Sequence, residues 1–186
     1  MRDTPRYLNH TVAALLALVM FSLPATAAET RLDTLFSQLE GAAPEEAGRI
    51  ASEIELEWAK SGSPAMDLLL RRGKDALETG DTEMAVEHLS AAIDHAPDFA
   101  EAWYMRSLAF FQQERYGLAL NDLAQVIALE PRHFNAFLGM GLIFEETGRP
   151  ALAREALMTA QTIHPYLEDV SEALERVSRA LGGTDL

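Results

Sequence analysis

Four histidines lie beyond the first thirty residues: His88, His95, His133 and His164. Imidazole suits proton transfer near neutral pH and binds transition metals. Both jobs need several groups converging, and metal ligands tend to show spacings such as H-x3-H or H-E-x-x-H. The chain has neither. His95, His133 and His164 fall at similar points beside prolines, about 31 to 38 residues apart. That pattern predicts solvated turn histidines spread along an elongated fold. There is no Cys, hence no thiolate nucleophile, thiolate metal site or disulfide. No G-x-S-x-G, glycine-rich phosphate loop or G-x-G-x-x-G occurs. The 29 Asp and Glu residues are scattered over polar faces instead of paired. These observations predict a non-enzymatic chain without metal or cofactor. The ending Thr184-Asp185-Leu186 fits the S/T-x-apolar tail that PDZ domains capture by strand addition.

Charge narrows the partners. The formal charge is −14. Residues 1–27 contribute about +1, so the remainder carries −15. Such acidity opposes nucleic acid and anionic lipid, which need basic faces. It serves solubility through self-repulsion, and a basic partner is the sharper reading. At the N-terminus, Arg2 and Arg6 precede an apolar run from Val12 to Leu23, then Pro24 and the small residues Ala25-Thr26-Ala27. This order is that of a cleaved secretory signal peptide, residues 1–27. The run is shorter than the roughly twenty residues that span a bilayer, though an uncleaved anchor stays open. The expected location is the periplasm, with the chain soluble after cleavage.

The elements that would position any site follow a repeat. Pro97, Pro131 and Pro165 are spaced by 34 residues, and periods of this size signal stacked helical units. Units begin at Met66, Ala100 and Phe134. Position 4 is Leu69, Trp103, Phe137; position 8 is Gly73, Ser107, Gly141; position 11 is Ala76, Phe110, Phe144; position 20 is Ala85, Ala119, Ala153; position 24 is Leu89, Leu123, Leu157. Small residues at 8 and 20 let antiparallel helices approach, and the large apolar positions fill the remainder. Gly80 and Gly148 mark the bends, where a left-handed residue ends a helix at low cost.

With these residues the chain resembles the tetratricopeptide repeat (TPR) family, whose pattern is W-x2-L-G-x2-Y…A…F…A…P. The resemblance implies an all-α solenoid of three helix-turn-helix repeats, 66–99, 100–133 and 134–165. Two departures are Arg72, Arg106 and Met140 at position 7, usually Leu, and Glu114 in place of the second bend glycine. Both suggest local surface differences. A helix over 166–181 has an apolar stripe, Leu167, Val170, Leu174, Val177 and Leu181, and should cap the array, with 182–186 as a tail. Asp169, Ala173 and Arg176 would face outward, where nothing follows. Residues 28–65 read as an N-terminal helical hairpin that caps the other end, or as a degenerate repeat, with Trp58 filling the gap against the first unit.

The resemblance also implies a concave groove lined by the first helix of each repeat, at positions 2, 6, 9 and 13 flanked by 5 and 12. The expected partner-binding residues are Arg71, Lys74, Tyr104, Met105, Leu108, Phe111, Asn135, Gly139 and Leu142, with Glu101 also mapped to the groove. The family's carboxylate clamp would fall on Leu70, Lys74, Met105, Asn135 and Gly139. Only Lys74 is basic, so the clamp is absent. The implied function is an adaptor that holds a segment of a partner protein in the bacterial envelope. The alternative is a subunit binding a small molecule or glycan in the same cleft. Whether the cap or an N-terminal arm fills part of the groove stays open, as does the oligomeric state.

Overall fold

Helix boundaries follow the punctuation of the sequence. The computed structural model describes residues 30–182. The expected signal peptide, residues 1–27, and the Thr184-Asp185-Leu186 tail lie outside the described residues. Within them the chain is helical: α1 (Arg31–Glu40), α2 (Pro44–Trp58), α3 (Pro64–Glu78), α4 (Thr82–His95), α5 (Ala100–Gln112), α6 (Tyr116–Leu129), α7 (Phe134–Glu146), α8 (Pro150–Ile163) and α9 (Glu168–Gly182). Pro44, Pro64 and Pro150 open α2, α3 and α8. Proline costs nothing in the first turn, where its missing N–H has no partner to lose. Asp81 caps α4 by accepting from the Met84 N–H at 3.1 Å.

Helices α3/α4, α5/α6 and α7/α8 form three antiparallel hairpins, stacked in order and closed by α9. Each hairpin turns by the same hydrogen bond. Asp81 N–H donates to Ala76 O, Arg115 N–H to Phe110 O and Arg149 N–H to Phe144 O, each at 2.8 Å. This is the six-to-one bond of a Schellman ending, which requires a left-handed residue just before the donor. Gly80 and Gly148 supply it at φ 79° and 70°, and Glu114 supplies it at φ 59° with a side chain attached.

Packing follows the repeat register. Ala85, Ala119 and Ala153 are completely buried. A Cβ on Gly73 would stand 2.5 Å from Leu89 Cγ, and one on Gly141 would stand 2.6 Å from Leu157 Cγ. Two helices therefore meet with no room for another carbon. Of the two aromatics at positions 4 and 11 of the second repeat, Phe110 is buried; Trp103 is half-buried and donates its Nε1–H to Pro97 O at 3.0 Å.

Arg106 is not a surface variation. Its guanidinium donates to both oxygens of Asp122 on α6, at 2.8 and 2.9 Å, and to Ser90 Oγ on α4 at 3.0 Å. It also lies 4.9 Å from the Trp103 ring. Two planar hydrogen bonds to a buried carboxylate are the geometry for which Arg is suited; here they tie α5 to α6 within one repeat, while the bond to Ser90 reaches the repeat before it. Ala173 does not face outward either. It is fully buried with Val170 and Val177 against α8. Arg176 turns back to Glu145 on α7, with two contacts of 3.0 Å.

The N-terminal hairpin does not extend the stack. Ser61 and Gly62 redirect the chain after α2. Gly62 has φ 78°, and Asp67 accepts from the Ser61 hydroxyl at 2.6 Å and from its N–H at 2.8 Å. Helices α1 and α2 bury Leu35, Leu39, Ile50 and Ile54 between them, and this core continues into Phe134, Ile163 and Leu167. Trp58 therefore packs where the second repeat meets the third, and not against the first as expected. Its ring stacks on His133 at 3.9 Å and meets Phe134 at 5.1 Å. Aromatic partners exist at that site, whereas the start of α3 presents Asp67 and Arg71. Arg132 completes the joint, donating to Asp33 at 2.9 Å with its guanidinium 4.2 Å from the Phe36 ring.

Candidate functional site

An apolar pocket of about 90 Å³ opens between α5 and α7. Ser107, Leu108 and Phe111 line it from α5, Gly139, Leu142 and Ile143 from α7, and Leu123 of α6 closes its floor. The spacing of each lining set is that of one helical face. Gly139 leaves space above that floor, because a Cβ there would already touch Leu123 Cδ1 at 3.4 Å. Four of the nine expected binding residues, Leu108, Phe111, Gly139 and Leu142, converge here.

The other five lie elsewhere. Met105 is half-buried in the core shared by the first two repeats. Asn135 donates to Glu55 of α2 at 2.7 Å. Tyr104 is half-buried with its ring 4.8 Å from His133, and its phenol is pushed well above the usual range, by burial first and then by Glu101 and Glu55. Lys74 reaches Glu101 at 3.5 Å. Arg71 is exposed on α3 and helps to hold the Asp67 carboxyl low, behind the larger effect of the Ser61 hydrogen bonds. The N-terminal hairpin thus covers the groove where α5 and α7 begin, and the pocket sits where they end.

Glu101 and two histidines depart from expectation. Glu101 is 3% exposed, and His133 and His164 are 0% and 2% exposed. They are interior groups and not solvated ones. His133 Nδ1 accepts the Ala136 N–H at 3.2 Å, which leaves Nε2 to carry the proton toward Glu101 Oε2 at 3.4 Å. The imidazole is thereby a helix cap and a stacking platform for Trp58 together. His164 Nδ1 accepts the Tyr166 N–H at 3.3 Å, and its ring meets Phe134 edge-on at 5.1 Å. Burial holds its pKa below the ordinary 6.5. A His directly before the first residue of a repeat, where capping residues belong, was the available signal for His133. No sequence period reports that residue 58 meets residue 133.

Chemically the arrangement holds apolar side chains and little else. Among the described residues no three or more His, Asp or Glu side chains gather closely enough to grip a metal ion. Nor is any described helix long and apolar enough to cross a membrane.

A family model described as tetratricopeptide repeat matches residues 70–127 and 108–168. A TPR repeat-containing protein of Rhizobium etli is 36% identical over 154 residues, which cover 82% of this chain and 76% of that protein. Superkiller complex protein 3 of Mus musculus is 29% identical over 119 residues, 63% of this chain and 7% of that protein. Among solved structures, the first TPR of Spaghetti (RPAP3) bound to the HSP90 peptide SRMEEVD superposes with TM-score 0.62 at 18% identity, over 64% of this chain and 95% of that one. The TPR2B domain of yeast Sti1, in its pHsp70 complex, superposes with TM-score 0.61 at 19% identity, over 63% and 99%. At those identities the likeness is one of fold.

Proposed function

The chain belongs to the tetratricopeptide repeat family, and from that premise we propose that it is a non-enzymatic scaffold that holds a segment of a partner protein in its concave groove, in the bacterial envelope. The apolar pocket between α5 and α7 carries this reading, because it gathers Leu108, Phe111, Gly139 and Leu142 into one place where an anchor side chain would lose its water. Its volume of about 90 Å³ suits a single side chain. Sites for small organic ligands run to roughly 300–1,000 Å³, so size favours a peptide anchor over a free small molecule or glycan. Peptide-bearing domains of the same fold support the reading. The envelope location rests on Arg2, Arg6, the apolar run and the Ala25-Thr26-Ala27 stretch. Cell fractionation would test it: the mature chain should be released with the periplasmic contents.

The test of the groove is a photo-crosslinking amino acid placed at Leu108 in the full-length protein, with Leu142→Asp as the disabling change. Crosslinked partner should be recovered from cells, and Leu142→Asp should abolish recovery while the circular dichroism stays helical. Equal recovery from the folded variant would refute the groove reading.

A further inference from the structure

Two exposed carboxylates follow the segments of α5 and α7 that line the apolar pocket. Glu146 follows Leu142 by one helical turn, and Glu114 follows Phe111 by three residues, in the bend after α5. Both are exposed, and neither has a cation within ion-pair distance among the described residues. Their nearness to the pocket is felt by Tyr116, whose ring meets the pocket residue Phe111 at 5.7 Å. The Tyr116 phenol is pushed up by burial first, then by Glu146 and then by Glu114. The neighbouring cation Arg115 is drawn elsewhere, 5.0 Å over the Phe110 ring, which does not line the pocket. Glu145 is neutralised by Arg176, so it adds nothing to the field. Helices α5 and α7 both end here, and helix C-termini carry partial negative charge. At the opposite end of the groove the hairpin covers Asn135 and Tyr104, so only a short segment has room.

We propose that this pocket docks a short basic segment of a partner protein, one bulky apolar side chain entering between Leu108 and Leu142 while flanking Lys or Arg residues pair with Glu146 and Glu114. Charge complementarity selects this occupant. An acidic segment would bring like charge against two unpaired carboxylates and two helix C-termini, at a cost that specificity exploits. An uncharged one would leave them unused. The proposal rests on the groove reading above and adds the chemistry of the segment.

Three fluorescein-labelled peptides serve as probes against the full-length protein, read by fluorescence anisotropy at low salt: GKKLFKKG, its charge-reversed form GEELFEEG, and GKKGGKKG, which lacks the anchor. GKKLFKKG should bind at least about tenfold more tightly than either of the others. Glu146→Gln with Glu114→Gln should weaken it severalfold, and raising the salt should do the same. Both changes are exposed and keep the fold intact. Equal binding of GEELFEEG, or of GKKGGKKG, would overturn the proposal, the latter by revealing charge attraction without an anchor. So would retention of full affinity in the double variant. These outcomes separate from failure of the groove reading itself. A crosslink from Leu108 that persists in Leu142→Asp removes both. A crosslink lost in Leu142→Asp, together with no preference for GKKLFKKG, removes only the basic segment.

Discussion

Replacing Trp58 by alanine and by phenylalanine separates two contributions that the structure places in one side chain. The indole is 7% exposed, stacks on His133 at 3.9 Å and contacts Phe134 and Phe36. Truncating such a ring to alanine removes about 3–5 kcal/mol. The Trp58 Nε1–H is buried without an acceptor, and a group in that condition costs about 1–3 kcal/mol. Phenylalanine removes the unpaired donor and about 40 Å² of ring, worth ~1 kcal/mol at about 25 cal/mol per Å². Trp58→Phe should therefore stay within about 1 kcal/mol of the parent, and Trp58→Ala should fall roughly 3 kcal/mol or more below it, by the same figures. Urea denaturation followed at 222 nm measures both, and native-state hydrogen exchange locates the loss. In Trp58→Ala, protection should collapse at Ile50 and Ile54 of α2 and persist at Leu123 and Leu157. Equal destabilisation by Phe and Ala would refute the unpaired-donor reasoning. Loss of protection at Leu123 equal to that at Ile50 would refute the idea that the hairpin is joined to the stack mainly through this ring.

Three further outcomes are expected. Glu114 sits at φ 59°, where an L-residue pays about 1–2 kcal/mol, so Glu114→Gly should stabilise the fold by a net ~0.5–1 kcal/mol after glycine's own entropy of about 0.5–1 kcal/mol, read as a higher urea midpoint; a lower midpoint would contradict the strain. Arg106→Leu strands the Asp122 carboxylate, 4% exposed, and should cost about 3–5 kcal/mol, with most of it recovered by adding Asp122→Leu; a double variant no better than the single one would assign the loss to packing. Because His164 has its folded pKa held below 6.5 by burial, the unfolded chain takes up its proton first as pH falls. Its stabilising contribution is complete above pH 6.5 and is lost progressively below. His164→Asn, which keeps an acceptor for the Tyr166 N–H, should flatten the stability profile between neutral pH and about pH 5, and an unchanged slope would exclude His164 as its source.

The stack was legible because local chemistry repeats itself. Pro97, Pro131 and Pro165 set the register, and Gly73 and Gly141 stand where a Cβ would strike a leucine 2.5 or 2.6 Å away. A requirement that recurs every 34 residues shows in a single sequence. The apolar part of the groove was legible for the same reason, since Leu108, Phe111 and Leu142 occupy repeat positions whose neighbours are known from the register. What escaped notice depends on pairs that meet once. Asn135 and Glu55 are 80 residues apart, and neither residue type announces the other. His133 looks like a turn residue in any local window; its burial comes from the Trp58 and Tyr104 rings packed against it. Arg106 breaks the apolar pattern at position 7, and only the matching Asp122 at position 23 of the same repeat explains it.

The seating of the first hairpin on the third repeat changes what kind of folding unit this is. A linear array of repeats senses only neighbours, unravels from its ends and keeps a low contact order. Contacts from residues 33–58 to residues 132–167 fasten the first described helices near the last repeat. The array becomes a belt with its buckle closed. Fraying of α9 must then disturb Leu167 and so the hairpin core, which couples melting of the last helix to melting of the first hairpin. Part of the final fastening waits on long loop closure, so refolding should lag behind that of an open three-repeat stack.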